Sequence, residues 1–195
     1  MPWRTSAGAA IPRGTEGPVV RHVPNAITIA RGCCGPLVAW LLLGPLAHAA
    51  FWVFMAAITT DLLDGWAARR LGAFHPAGLW LDPLADKVLT DTSWIALGWV
   101  GFAPPWLCIT MVSRDAIILG VWAWILATGS RTRWSPTPVG QTMVAFEGVA
   151  LCVLLFHGPW LDVHWPTVGT TLGGISLALS FVSLLQYAMN GPESS

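Results

Sequence analysis

The 195-residue chain is strongly apolar: 54% of its residues are hydrophobic, its mean hydropathy is +0.61, and only 10% are charged. A soluble domain carries roughly 25% charged residues, so the composition indicates an integral membrane protein with spans of about 20 residues each. The formal net charge is zero, and nothing in the composition points to nucleic-acid binding.

The N-terminal segment, residues 1–24, is rich in proline, glycine and arginine and has no continuous apolar core. It therefore does not resemble a cleaved signal peptide. We expect it to form a cytoplasmic tail and juxtamembrane segment that ends in a short interfacial helix. A membrane domain over residues 25–190 and a C-terminal tail over residues 191–195 are expected to follow.

Six apolar stretches lie between proline, glycine and charged residues, and each is long enough to cross a bilayer as a helix. This pattern predicts an all-α fold with six transmembrane helices. The predicted spans are residues 26–46, 48–68, 79–101, 105–128, 138–157 and 167–189.

The arginines predict the orientation of these spans. Eight of the nine arginines lie before or at the start of the first span, after the second or after the fourth, whereas the connections near 47, 102–104 and 158–166 contain no lysine or arginine. By the positive-inside rule, both termini and the loops after spans two and four are cytoplasmic.

Four aspartates near the cytoplasmic face are unexpected in so apolar a chain. Asp61 and Asp64 are three residues apart and Asp82 and Asp86 are four apart, so each pair is expected to project from one face of a helix. Glycine and proline between the pairs can end one helix and begin another. A tight antiparallel hairpin would then bring the two pairs together.

Four converging carboxylates need cations, because they would otherwise repel one another and be costly near a bilayer. They are hard oxygen ligands suited to Mg²⁺ or Mn²⁺, and four can hold two ions, an arrangement used in phosphoryl transfer. Gly65 and Gly78 would allow a ligand to approach the backbone. Arg69 is placed to bind a phosphate oxygen.

The aspartate segment has the pattern D-x-x-D-G-x-x-A-R, eight residues, then G-x-x-x-D-x-x-x-D. It resembles the signature of the CDP-alcohol phosphotransferase family, also called the class I CDP-alcohol phosphatidyltransferases. The eight matching positions are Asp61, Asp64, Gly65, Ala68, Arg69, Gly78, Asp82 and Asp86.

Two further motifs resemble particular branches of this family. The sequence PNAITIAR, residues 24–31, is similar to the start of the first helix in bacterial phosphatidyltransferases. The sequence LDPLADK, residues 81–87, is similar to the form common in phosphatidylglycerophosphate synthases and CMP-forming cardiolipin synthases. A bacterial cytoplasmic membrane is therefore the expected location.

The resemblance implies six transmembrane helices, usually in a homodimer, and a polar cavity that opens to the cytoplasm and holds two divalent cations. It implies that Asp61, Asp64 and Asp82 are metal ligands and that Asp86 is the catalytic base and also faces a metal. The residues implied to bind CDP are Asp64, Gly65, Ala68, Arg69, Gly78 and Asp82.

The implied reaction transfers a phosphatidyl group from CDP-diacylglycerol to an alcohol and releases CMP. Its lipid tails can remain in the bilayer while the nucleotide reaches the aqueous cavity. A divalent-cation channel or carrier is an alternative of another class, because intramembrane acids often line ion paths. That alternative leaves Gly65, Arg69 and Gly78 unexplained, and Mg²⁺-dependent binding of CDP would discriminate between the two.

The sequence favours sn-glycerol 3-phosphate as the acceptor, because the two branch motifs match and arginines are available to bind its phosphate. Phosphatidylglycerol is the alternative acceptor, since Gln141 stands where many similar proteins carry lysine and since TDLLDG and SRD resemble cardiolipin synthases. Asp115 could instead neutralise Arg114 as a structural pair. The candidate residues for the lipid phosphate or the acceptor are Asn25, Thr28, Arg31, Arg114, Arg131 and Arg133.

Overall fold

The computed structural model describes residues 18–71, 78–128, 138–156 and 164–190, with the side chains of 18–27, 64–71, 78–83 and a few later positions left out of the description. These residues form six α-helices, which confirms the all-α class. In chain order they are α1 (Pro18–Leu43), α2 (Ala47–Leu71), α3 (Gly78–Trp99), α4 (Pro105–Ala127), α5 (Pro138–Phe156) and α6 (Trp165–Asn190).

The helix bounds agree with the apolar stretches to within three residues, except at the start of α1. That helix begins at Pro18, so it includes part of the segment that we assigned to the N-terminal tail. Arg21 and His22 make its first turns polar, and a prediction from hydropathy therefore excludes them. Proline at the first helical position is favourable, because its fixed φ angle suits a helix and its missing N–H has no helical partner to lose.

Three of the helices are long and apolar enough to cross a membrane by length and composition: Pro105–Ile125, Pro138–Phe156 and Trp165–Gln186. Shorter apolar helical segments lie at Thr28–Leu43 and Ala47–Leu63. Large apolar side chains are exposed on the outside of the bundle, as expected where the surrounding solvent is hydrocarbon. They include Trp40, Trp52, Trp99, Trp106 and Trp124.

The helices pack in two main pairs, α1 with α3 and α5 with α6, and α2 and α4 contact both groups. The α1–α3 contact is close at Gly35, where an added Cβ would lie 2.6 Å from Thr92 Oγ1 and 2.7 Å from the Val88 carbonyl oxygen. A continuous apolar core includes Phe54, Trp94 and Leu151 from three different helices. This core fixes the positions of the polar side chains described next.

Candidate active site

The four aspartates of the signature lie on two helices, as their spacing predicted. Asp61 and Asp64 are in α2, and Asp82 and Asp86 are in α3. Among the described residues, however, α2 and α3 barely touch, because α1 packs against both of them. The connection that would form the expected α2–α3 hairpin, residues 72–77, lies outside the described residues, so the hairpin stays a prediction. The packing of α1 against both helices is an addition to it, because a short connection carries no information about an earlier helix.

Helix α1 supplies an arginine to the aspartate site. Arg31 Nη1 lies 2.5 Å from Asp61 Oδ1, and the Arg31 side chain is only 7% exposed, whereas that of Asp61 is 46% exposed. The Nε atom of Arg31 is buried and has no hydrogen-bond partner among the described residues. The arginine thus joins α1 to α2 and retains capacity to donate to another oxygen.

Asp86 completes this group from α3. It is partly buried and within electrostatic range of Asp61, Arg31 and the adjacent Lys87. Helices α1, α2 and α3 therefore bring one arginine and two signature aspartates to the same end of the bundle. Thr28 is buried in α1 one turn before Arg31, beside the same site.

Several predicted site residues lie outside this description. The side chains of Asn25, Asp64, Gly65, Ala68, Arg69, Gly78 and Asp82 are not among those described. Arg131 and Arg133 lie in the connection between α4 and α5, which is likewise outside the described residues.

Arg114 is bound by two carboxylates, which is the structural pairing that the sequence left open. Its Nε atom donates to Asp115 Oδ1 at 2.7 Å, and its Nη2 atom donates to Glu147 Oε2 at 2.8 Å. Its Nη1 atom lies 3.7 Å from Met143 Sδ, a weak acceptor. Among the described residues, carboxylates bind Nε and Nη2 of Arg114 but not Nη1.

Glu147 and Lys87 were not singled out in the sequence. Glu147 is 2% exposed in α5 and also accepts a hydrogen bond from Trp94 Nε1 at 3.2 Å. Lys87 Nζ donates to Asp115 Oδ2 at 2.6 Å. The available signal for Glu147 was an isolated carboxylate inside an apolar span, because intramembrane charges usually have partners.

The donor set fits divalent cations of the Mg²⁺ class. Asp61 of α2 and Asp86 of α3 offer carboxylate oxygens within electrostatic range of each other, and oxygen is the ligand that Mg²⁺ and Mn²⁺ prefer. The described side chains include no cluster of three or more potential metal ligands. Asp64 and Asp82, on the same two helices, are the remaining carboxylates of the signature.

Comparison with known proteins places these residues in a family. The chain matches the CDP-alcohol phosphatidyltransferase family model over residues 21–184. It is 31% identical to the CDP-diacylglycerol–glycerol-3-phosphate 3-phosphatidyltransferase of Bacillus subtilis strain 168 over 161 residues, 74% of this chain and 82% of the relative. Proteins of the same name from Escherichia coli K12 and Shigella flexneri serotype 5b are each 29% identical over 174 residues, 85% of this chain and 92% of the relative.

The match runs from α1 into α6 and includes the whole aspartate signature, so it does not depend on a short motif alone. The resemblance found in the sequence is therefore confirmed. This helical protein, with Arg31, Asp61 and Asp86 gathered at one end of its bundle, belongs to the CDP-alcohol phosphatidyltransferase family, a family of enzymes.

Proposed function

We propose that the protein transfers the phosphatidyl group of CDP-diacylglycerol to sn-glycerol 3-phosphate, forming phosphatidylglycerophosphate and CMP. The observation that carries this proposal is the meeting of Arg31, Asp61 and Asp86 in a chain of this family. The choice of acceptor is supported by the bacterial relatives, whose names specify glycerol 3-phosphate.

Two divalent cations, Mg²⁺ or Mn²⁺, belong to this proposal. Asp61, Asp64, Asp82 and Asp86 would hold them, and the bound ions would neutralise charge on the pyrophosphate of the lipid nucleotide. The carboxylates of the described pair fit this role because both reach the same site from different helices. Arg31, already beside Asp61, would donate to a phosphate oxygen.

The nucleotide is assigned to the remaining positions of the signature. The proposed CDP-binding residues are Asp64, Gly65, Ala68, Arg69, Gly78 and Asp82. Arg69 would bind a phosphate oxygen, since a guanidinium can donate two parallel hydrogen bonds to one phosphate. The glycines would leave space for the nucleotide beside the backbone. The diacylglycerol part would remain in the surrounding lipid.

Asp86 acts as the base in the proposed reaction. Its carboxylate takes the proton from the acceptor hydroxyl as the new oxygen–phosphorus bond forms at the lipid-linked phosphorus. The bond from this phosphorus to the pyrophosphate bridging oxygen breaks, and that oxygen leaves with CMP. One proton, first held by Asp86, is released to solvent, which balances the reaction.

The phosphate of the acceptor requires cationic donors. The proposed donors are Arg131 and Arg133, together with the Nη1 edge of Arg114, which is the edge without a carboxylate. Asn25 and Thr28 are proposed to line the lipid-phosphate side next to Arg31. A positive site of this kind would favour a phosphate monoester over a neutral alcohol.

The fold is proposed to have six membrane spans around a polar cavity that opens to the cytoplasm. Both termini would be cytoplasmic, the location would be a bacterial cytoplasmic membrane, and two copies would form a homodimer. We propose the domain limits 1–24 for the N-terminal segment, 25–190 for the membrane domain and 191–195 for the C-terminal tail. The arginine distribution supports the orientation.

The acceptor is tested with purified protein, CDP-diacylglycerol and Mn²⁺ or Mg²⁺. Glycerol 3-phosphate, phosphatidylglycerol, inositol phosphate and serine are added in turn, and the release of CMP is measured, with chelator as the control. We expect release only with glycerol 3-phosphate. Release with phosphatidylglycerol alone would establish cardiolipin synthesis instead, a candidate favoured by the exposed Gln141 near the start of α5, where a lysine would add a cation.

A further inference from the structure

Five buried or partly buried side chains form a series of hydrogen bonds and ion pairs that is closed by the α3 backbone between its two ends, and we call it the ionic ring: Lys87, Trp94, Arg114, Asp115 and Glu147. The circuit starts on α3 at Lys87, passes to α4 through Asp115 and Arg114, continues to Glu147 on α5, and returns to α3 at Trp94. Its two cations and two carboxylates balance in charge.

The ring holds α3 at two points. Lys87 and Trp94 are seven residues apart, which places them on the same side of the helix, two turns or about 10 Å apart along its axis. A rotation or an axial shift of α3 would break at least one of these contacts. Breaking a buried ion pair leaves an uncompensated charge, which costs far more than the loss of a surface pair.

The orientation of α3 determines where Asp86 points. Asp86 immediately precedes Lys87, so its direction is fixed at about 100° around the helix from the lysine. On the other side of α3, Ala85 packs against α1, where a Cβ added at Gly32 would lie 3.7 Å from the Ala85 Cβ. Three consecutive residues of α3 thus have different neighbours: Ala85 faces α1, Asp86 faces the aspartate site, and Lys87 faces the ionic ring.

We propose that the ionic ring fixes the rotation of α3 and thereby directs Asp86 at the acceptor hydroxyl, with Glu147 as a positioning residue that acts from α5. The inference rests on the proposed role of Asp86 as the base. Glu147 is suited to the role because its two oxygens bind different helices: Oε1 accepts from Trp94 of α3 and Oε2 from Arg114 of α4.

A disulfide across the α1–α3 contact can report the rotation of α3 without any measurement of activity. The substitutions Gly32→Cys and Ala85→Cys would place two Cβ atoms about 3.7 Å apart, within the range of a natural disulfide. The four native cysteines are first replaced by alanine, and this parent is checked for CMP release. Disulfide formation is then followed in membranes after addition of a mild oxidant.

The substitution Glu147→Gln removes the charge of this side chain but retains its size, and Lys87→Met removes the other anchor of α3. We expect each to slow disulfide formation several-fold. The matched control is Ser176→Ala, which removes a buried hydrogen bond between α6 and the Met143 carbonyl of α5, so neither partner of the lost bond belongs to α3. This control should form the disulfide at the parental rate.

Kinetics provide the second measurement. In the native-cysteine protein, Glu147→Gln should lower kcat about 10- to 100-fold, because a small displacement of a catalytic group has an effect of this size. The KM for CDP-diacylglycerol should change less than twofold. The double variant Lys87→Met/Glu147→Gln should lower kcat further than either single variant, since each substitution removes a different one of the two contacts that hold α3.

The disulfide rates and the kinetics together test whether the ionic ring fixes the rotation of α3. Parental disulfide rates and parental kcat in Glu147→Gln and Lys87→Met would overturn the proposal, as would a failure of both variants to accumulate as folded protein, because the ring would then be a stability element. Absence of CMP release by the unmodified protein with every acceptor, together with normal disulfide formation in the parent, would instead refute the proposed function. The two failures are therefore distinguishable.

Discussion

The contact between Arg31 and Asp61 shows how a single residue can connect the lipid-phosphate and metal parts of the proposed site. The buried guanidinium of Arg31 balances the negative charge of the Asp61 carboxylate beside it. The described residues offer no hydrogen-bond partner to its Nε atom, which could therefore donate to a phosphate oxygen. The Arg31 guanidinium can therefore both join α1 to α2 and bind the phosphate of the proposed substrate.

Removal of the base provides the first test at the residue scale. We predict that Asp86→Asn retains the fold and most of the binding of CDP-diacylglycerol but lowers the rate of CMP release by about 10²- to 10⁴-fold, the range for loss of general base catalysis. Turnover and lipid-nucleotide binding are measured on the same preparation. Near-normal CMP release would refute the assignment of Asp86 as the base.

The matched variant Asp61→Asn should behave differently. A metal ligand holds charge, so its loss should raise the Mn²⁺ concentration needed for half-maximal activity as well as lower turnover. A titration with Mn²⁺ compares the two variants with the unmodified protein. An unchanged metal requirement in Asp61→Asn would argue against the role of this residue as a ligand.

Arg31 is tested by comparison of two substitutions. Arg31→Met should lower kcat/KM for CDP-diacylglycerol more than 10-fold, since it removes the ion pair with Asp61 and the proposed phosphate donor. Arg31→Lys retains the charge but cannot donate in the same planar geometry, so its kcat/KM should lie between those of the unmodified protein and Arg31→Met. Equal activity of the lysine and methionine variants would show that the charge is not used.

At the scale of the helices, the packing of α1 against α3 depends on the absence of a side chain at Gly35. A Cβ there would meet Thr92 Oγ1 and the Val88 carbonyl oxygen, and the backbone atom cannot move without the whole helix. Nothing in the sequence distinguished Gly35 from the other glycines. The need for glycine at this position arises only from the close packing of α1 against α3.

The Gly35 contact leads to a prediction with an internal control. We expect Gly35→Ala to destabilise the protein by about 1–3 kcal/mol, the usual cost of overpacking. Gly120→Ala, in open space on α4, should be neutral or stabilising by up to about 1 kcal/mol because alanine favours helix. Thermal unfolding in detergent compares the two, and equal melting temperatures would contradict the close α1–α3 approach.

The charges of the ionic ring lead us to a prediction about Asp91 of α3. Asp91 lies within electrostatic range of Asp115 and Lys87, yet its Oδ1 is buried without a hydrogen-bond partner among the described residues. Because the four ring charges already balance, Asp91→Asn should leave thermal stability unchanged or raise it. Asp115→Asn should lower it by about 3–5 kcal/mol, the cost of breaking a buried pair. A marked loss of stability in Asp91→Asn would show that its charge has a partner.

For the whole molecule, the sequence predicted the features that depend on residues close together in the chain, namely the helices and the aspartate signature. Proline, glycine and charge interrupt the apolar stretches, so the six helices and most of their ends were found, and the aspartate signature identified the family. The sequence did not predict that α1 packs against both α2 and α3, nor that Arg114 pairs with Glu147. These depend on which helices become neighbours, and side-chain spacing within one helix carries no information about that.

Membrane topology is the prediction that involves the entire chain. Among the described residues, α4, α5 and α6 are long and apolar enough to span, and three spans would place the two termini on opposite sides of the membrane. The six spans that we predict place both termini on the same side, which requires α1, α2 and α3 to cross as well, although α2 and α3 carry charges at their connected ends. The shorter apolar segments Thr28–Leu43 and Ala47–Leu63 support such crossings.

Reporter fusions distinguish these topologies. We expect cytoplasmic signals from fusions before α1, in the loops around 72–76 and 130–136, and at Ser195, and an external signal from a fusion near Asp162. Because α6 alone separates Asp162 from Ser195, the same compartment for these two fusions would show that α6 does not span. Opposite compartments for the N-terminal and Ser195 fusions would exclude six spans, and an external loop at 72–76 would place the aspartate site away from the cytoplasmic CDP-lipid headgroup that it is proposed to bind.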